Sequence, residues 1–330
     1  MQRFAAASGF LVLAFVLVSV DSSNSQGQRV QLAPRFVKGA TLRYSIETNT
    51  TVDQHMTAPV VDSQDATQFK QSTSFVVRLD VLSLAAPTAS GGSPADVRFR
   101  ATFERSGSNS ESNASSPAQS SFDIDIGKLQ GRSFEFTLGA AGEPQAMKGL
   151  DELTSDAAAA QSAVGWIPVL ANVGTFPQGG IEIGQKWNSE HPLSGFPLTD
   201  MVWRSESSYL RNDPCGGGLT PGEPAPVPDT CAVILTRFEI LRHGSEHADA
   251  SPEEYRRNGL RTSGKWTVSG ESLNSISLTD GFLVSSTQTA EQNMDYEIVS
   301  AGSGSRIHQV GKTKTQTEIN LIREAAQTAP

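Results

Sequence analysis

Apolar and polar residues alternate along most of this chain. Leu42, Tyr44 and Ile46 fall on one side of an extended segment, and Arg43, Ser45 and Glu47 on the other. The same period of two recurs at Phe75, Val77, Leu79 and Val81, and at Val97, Phe99, Ala101 and Phe103. It continues at Phe122, Ile124 and Ile126, and at Phe134, Phe136 and Leu138. Successive side chains of a strand point to opposite faces, so this spacing predicts antiparallel strands with one buried and one wet face. Strand patterns resume after residue 180 and run on through Val233, Leu235, Phe238 and Ile240 to 319–322. Ser-, Gly- and Pro-rich stretches at 85–95 and 106–121 offer little to bury and predict loops.

The β rhythm breaks at 150–171. Asp151 and Glu152 precede four alanines at 157–160, and then come Val164, Trp166 and Ile167. Early acids and central alanines predict one helix, with Gly165 and Pro168 limiting its C-terminal end. Its apolar positions Leu153, Val164, Trp166, Ile167 and Leu170 are expected to cover the sheet. Burying five such side chains is worth on the order of 10 kcal/mol, so they must dock somewhere. The pattern therefore predicts a mainly β chain of curved antiparallel sheets, compatible with two β-meander halves, with one central helical segment. The expected organisation is a signal peptide at 1–25, a first β-rich half at 26–149, a helical linker at 150–178 and a second half at 179–330.

The opening segment sets the address. Arg3 precedes an apolar run at 4–20, and Ser23-Asn24-Ser25 puts small residues where a signal peptidase reads. That predicts a cleaved export signal with a mature start near Gln26, and a periplasmic or extracellular location. No later apolar run reaches spanning length, so no membrane span is expected in the mature chain. The cleavage region has no Cys to carry a lipid. A formal net charge of -9 with no cationic cluster argues against nucleic acid as a partner.

Cys215 and Cys231 flank a loop rich in Gly and Pro. In an oxidising compartment that pair reads as a disulfide, worth about 3 kcal/mol for a loop of this length.

One stretch imitates a metal site. His243-Gly244-Ser245-Glu246-His247 matches the H-x-x-E-H spacing of zinc peptidases. That chemistry needs a helix to bring both His to one side, and Gly244, Ser245 and the nearby Pro252 favour a solvated loop instead. No G-x-S-x-G elbow occurs, so no catalytic residue, metal or cofactor is assigned. Trp166, Trp187, Trp203 and Trp266 read as core anchors.

Lys38-Gly39 before a first strand, Ile183-Gly184-Gln185-Lys186-Trp187 at the restart, and the Asp280-Gly281 turn together carry a resemblance. The chain resembles an uncharacterised class of secreted bacterial β-rich proteins, which is distantly similar to periplasmic lipoprotein carriers. In those carriers a curved antiparallel sheet wraps around helices and can hold acyl chains. The resemblance implies a non-catalytic envelope binding or carrier protein, with a hydrophobic small molecule or an envelope protein as partner. The competing expectations are a surface structural or protein-interaction module and, less favoured, a zinc hydrolase using His243, Glu246 and His247.

Overall fold

The structure, a computed structural model, describes residues 29–58, 61–62, 67–84, 96–113, 126–139, 144–153, 164–171, 176–177, 179–193, 196–215 and 229–323. The first meander holds β1 (Thr41–Ala58), β2 (Val61–Asp62), β3 (Thr67–Leu84), β4 (Val97–Ser112), β5 (Ser133–Leu138) and β6 (Pro144–Lys148). The second holds β7 (Lys186–Leu193), β8 (Met201–Pro214), β9 (Thr230–Arg242), β10 (Leu260–Ser277), β11 (Leu283–Ser300) and β12 (Arg306–Leu321). The described helices are short: α1 (Leu150–Leu153), α2 (Ile167–Ala171) and α3 (Glu253–Arg257).

The strands form one open antiparallel sheet in the order β6-β5-β4-β3-β1-β12-β11-β10-β9-β8-β7, with β2 against β1. Apart from β2, which lies off the path, neighbours follow chain order everywhere except at the seam, where β1 pairs with β12 from Tyr44↔Leu321 to Thr57↔His308. This topology has a direct consequence. The two edges, β6 and β7, are consecutive along the chain, so one connection links the two ends of the sheet. It carries α1 and α2 over the apolar end of one face.

In β4 the buried alternation occupies only half of the strand. Val97, Phe99, Ala101 and Phe103 are buried in turn, and the rest of the strand is not. Sequence alone predicts a loop from Ser106, yet β4 continues to Ser112 in register with β3. The backbone ladder satisfies its N–H and C=O groups there without any apolar burial. Thr48 and Thr50 continue the face of Tyr44 and Ile46, opposite Thr317 and Thr315, and the Thr48 and Thr317 hydroxyls lie 3.2 Å apart. Cross-strand Thr pairs of this kind supply the cohesion that packing does not.

Other differences from the sequence reading are local. Ile126 is buried in a 3-10 turn, Ile126–Leu129, rather than in a strand; Phe122 and Ile124 lie outside the described residues. The expected single helix over 150–171 is described as α1 and α2, with 154–163 outside the described residues. Pro168 sits in the first turn of α2, where its missing N–H costs nothing. Ile181 makes a lone bridge to Val30, and the strand expected to start there begins at Lys186. The expected signal peptide at 1–25 and the loop at 85–95 also lie outside the described residues.

A second, smaller core lies toward the other end of the sheet. Leu198, Met201 and Ala250 are buried there, with Phe196, Ile240, Trp266 and Tyr296 packed around them. Trp203 stacks on Phe238 at 4.6 Å between ring centroids. Cys215 and Cys231 are disulfide-bonded, in accord with an oxidising compartment. No described helix is long and apolar enough to cross a membrane.

Candidate functional site

The main core is also the candidate site. On its sheet side, β1 and β3–β5 present Leu42, Tyr44, Leu79, Phe99, Phe136 and Leu138. The aromatic rings stack across strands and along one: Phe99 and Phe136 are 5.3 Å apart, and Phe134 and Phe136, both of β5, 5.8 Å. The roof is Trp166, Ile167 and Leu170 from the connection between the sheet edges. Of the five expected cover residues, Leu153, Val164, Trp166 and Ile167 are buried in this core, and Leu170 is partly buried against it.

A third wall was not foreseen from the sequence. Residues 29–40 form an extended strap that carries Pro34 and Phe36 into the site beside Phe282 and Leu283. Leu32 is 3% exposed. The Phe36 ring meets Phe99 edge-on at 5.0 Å and lies 5.4 Å from Phe282. The available sequence signal was a short apolar set, Val30, Leu32 and Phe36, without any period to give it a partner.

Between floor, roof and strap lies a cavity of about 30 Å³. Sites for small molecules usually offer roughly 300–1,000 Å³, so this one holds nothing larger than a water as it stands. Its lining is hydrocarbon and aromatic, and its phenol is already engaged: Tyr44 Oη donates to the Leu283 carbonyl at 3.1 Å. Burial, and then the nearby Asp280 carboxylate, push that phenol far above the usual tyrosine range, so Tyr44 stays neutral. A charged head group would find no partner inside, whereas a hydrocarbon chain would lose nothing polar by entering.

The rim is polar and tightly tied. Asp229 is the junction: it accepts from Thr279 Oγ1 at 2.9 Å and from Arg323 at 2.9 Å. Burial alone would raise the Asp229 carboxyl, but the hydrogen bonds from Ser277, Arg323 and Thr279 outweigh it and hold it below the ordinary value of 3.8. A lowered folded-state value means that folding favours the ionised form. Its contribution is complete above the ordinary value of 3.8 and is lost as pH falls below that through the folded-state value. Thermal midpoints measured across this range should fall less steeply with acid in Asp229→Asn than in the parent; parallel curves would contradict the assignment.

The rejected metal motif lies elsewhere. His243, Glu246 and His247 are all exposed in the loop after β9, where His243 Nε2 is 3.4 Å from Arg204 and Glu246 pairs with Lys265 at 3.3 Å. The opposite face of the sheet has open depressions. One of about 600 Å³ is lined by Asn49, Thr51, Arg237, Glu271, Glu291 and Lys314, among others. Its charges are mutually paired, Glu291 with Lys312 at 3.0 Å and with Lys314 at 3.1 Å. Exposed pairs of this kind contribute little stability and leave no unmatched charge to select a ligand.

No protein-family model matches this chain, and no curated protein matches it in sequence. Among solved structures, lipovitellin, described for its lipid–protein interactions, is similar over 89% of this chain at 11% identity and a TM-score of 0.44. This chain spans 26% of the length of that one. An outer membrane channel from Pseudomonas putida F1 is similar over 88% of this chain and 97% of its own, at 7% identity and a TM-score of 0.25. At these scores neither likeness fixes a ligand or an activity for this chain.

Proposed function

We propose that this chain is a non-catalytic, exported binding protein of the periplasm or extracellular space, and that it takes a hydrocarbon chain between the sheet and the α2 segment. The observation that supports this is the construction of the wall. A floor of aliphatic and aromatic side chains, with the Tyr44 hydroxyl already hydrogen-bonded, is closed by a short helix and an extended strap, not by a second sheet. Such a cover can move without breaking the pairing among β1–β12, and binding then requires the small cavity to widen at the roof or at the strap.

The lining limits the ligand. Only the apolar end of this face suits hydrocarbon, because Thr48, Thr50, Thr315 and Thr317 take over beyond Ile46 and Ile319. The tail is buried and the head stays in water. The test uses the full mature chain and cis-parinaric acid, a fluorescent fatty acid. Saturable binding at one site per chain, displaced by palmitate, is expected; absence of binding in both oxidised and reduced protein would sink the reading. The double variant His243→Ala with His247→Ala should bind equally well and change stability by under about 0.5 kcal/mol, as exposed loop residues do.

A further inference from the structure

The strap is seated with unusual closeness. Val30 and Ile181 exchange both backbone hydrogen bonds, at 2.8 and 2.9 Å. Arg35 N–H donates to the Asp280 carbonyl at 2.8 Å. Gly281 has φ +74, and a Cβ there would stand 2.3 Å from the Ala33 carbonyl oxygen, so only glycine lets the strap lie against this turn. The turn at 277–282 is in turn tied to the disulfide segment. Leu278 N–H donates to the Thr230 carbonyl at 2.8 Å, Cys215 N–H to the Asp229 carbonyl at 2.9 Å, and Thr279 Oγ1 to the Asp229 carboxylate. Cys231 follows directly and is fully buried. A continuous run of contacts thus leads from the Cys215–Cys231 bond through the turn to Phe36 in the cavity wall.

We propose that residues 30–36 are the gate of the apolar cavity and that the Cys215–Cys231 disulfide holds the gate shut through Asp229 and the 277–282 turn. The gating role rests on the hydrocarbon-binding reading above. The opening step is thiol–disulfide exchange with a dithiol. The reductant supplies two electrons and two protons, the Cys215–Cys231 bond breaks to two thiols, and the reductant's sulfurs join as its own disulfide. Without the bond, residues 229–231 keep only the pairing of β9 with β8 and β10 and the Asp229–Arg323 contact, so they brace the turn less firmly and the Asp280 carbonyl holds Arg35 less tightly.

Hydrogen exchange on the full chain, before and after complete reduction by dithiothreitol, tests this without any ligand. Reduction should speed exchange at least tenfold over 29–36 and 277–284, while residues of β12 keep their protection. Asp229→Asn with the disulfide intact should give a smaller rise in the same two segments. Unchanged strap exchange after full reduction overturns the gate, and so does loss of protection in β12 as well, because the bond would then hold the whole sheet. Cis-parinaric acid should associate faster with reduced protein. Equal rates in the two states remove the gate and leave the binding reading standing, whereas strap release with no fatty-acid binding in either state removes both.

Discussion

Trp166→Ala is expected to cost about 3–5 kcal/mol of stability, the range for removing a large aromatic side chain from a core. Trp166 is 5% exposed and roofs the cavity above Phe99 and Phe136. It is also the residue that starts α2, since Val169 and Leu170 N–H both donate to its carbonyl, at 3.1 and 3.3 Å. The backbone of that turn survives the substitution, so the loss falls on what the side chain contributes. Against a total of roughly 5–15 kcal/mol for a folded domain, the variant remains folded but marginal. Urea unfolding measures the difference.

A second consequence tests function. Removing the indole enlarges an apolar space that now measures about 30 Å³. Apolar cavities of around 150 Å³ stay dry and accept small aromatics. Added indole should therefore raise the thermal midpoint of Trp166→Ala and leave the parent unchanged, because a ligand that binds only the native state stabilises it by mass action. A loss under about 1 kcal/mol, with no rescue by indole, would mean that the ring does not roof the site.

The half of the fold that buries apolar surface was legible in the chain. The alternation at Phe75–Val81, at Val97–Phe103 and at Phe134–Leu138 marks the inner face of β3, β4 and β5, because hydrophobic burial leaves a period in the sequence. The other half was not. Ser106–Ser112 pairs with Phe69–Phe75 through backbone groups, and every residue has those groups, so nothing in composition announces the strand. The seam is hidden for a different reason: Tyr44 and Leu321 meet across nearly the whole chain, and no local pattern reports a partner that distant.

The site divides in the same way. Leu153, Val164, Trp166 and Ile167 could be named as cover because five apolar residues in a polar linker must dock somewhere. That they dock over the β1 and β3–β5 end is a fact of tertiary structure that the residues do not carry. Pro34 and Phe36 were invisible as site residues, because an extended strap has no repeat and its fit depends on Gly281, far away in sequence. His243, Glu246 and His247 show the converse error that spacing alone invites: the letters match a zinc motif, and the backbone there is an exposed loop.

The substitution Gly264→Ala should damage the far end of the sheet while sparing the cavity. Gly264 lies in β10 with φ +129, a region that L-residues rarely occupy. A Cβ there would stand 2.3 Å from the Asp295 carbonyl oxygen and 2.5 Å from Tyr296 Cα, both backbone atoms of β11 that no rotamer change can clear. Either β10 and β11 separate locally, or Gly264 changes conformation and gives up the hydrogen bond from its N–H to Glu246 O at 2.9 Å. That bond anchors the loop beside Trp266 and Tyr296, whose rings meet at a tilt, 5.5 Å between centroids, in the smaller core. Backbone strain, a broken ladder and a loosened loop together should cost on the order of 3 kcal/mol or more. Urea unfolding reads the loss, and hydrogen exchange should place it at 260–266 and 294–300. The cavity lies at the opposite end of the long strands, so fatty-acid affinity should change by less than about twofold, as expected for independent sites. Unchanged stability would show that β11 can yield to the added methyl, and a matching loss of binding would show that the two ends of the sheet act as one unit.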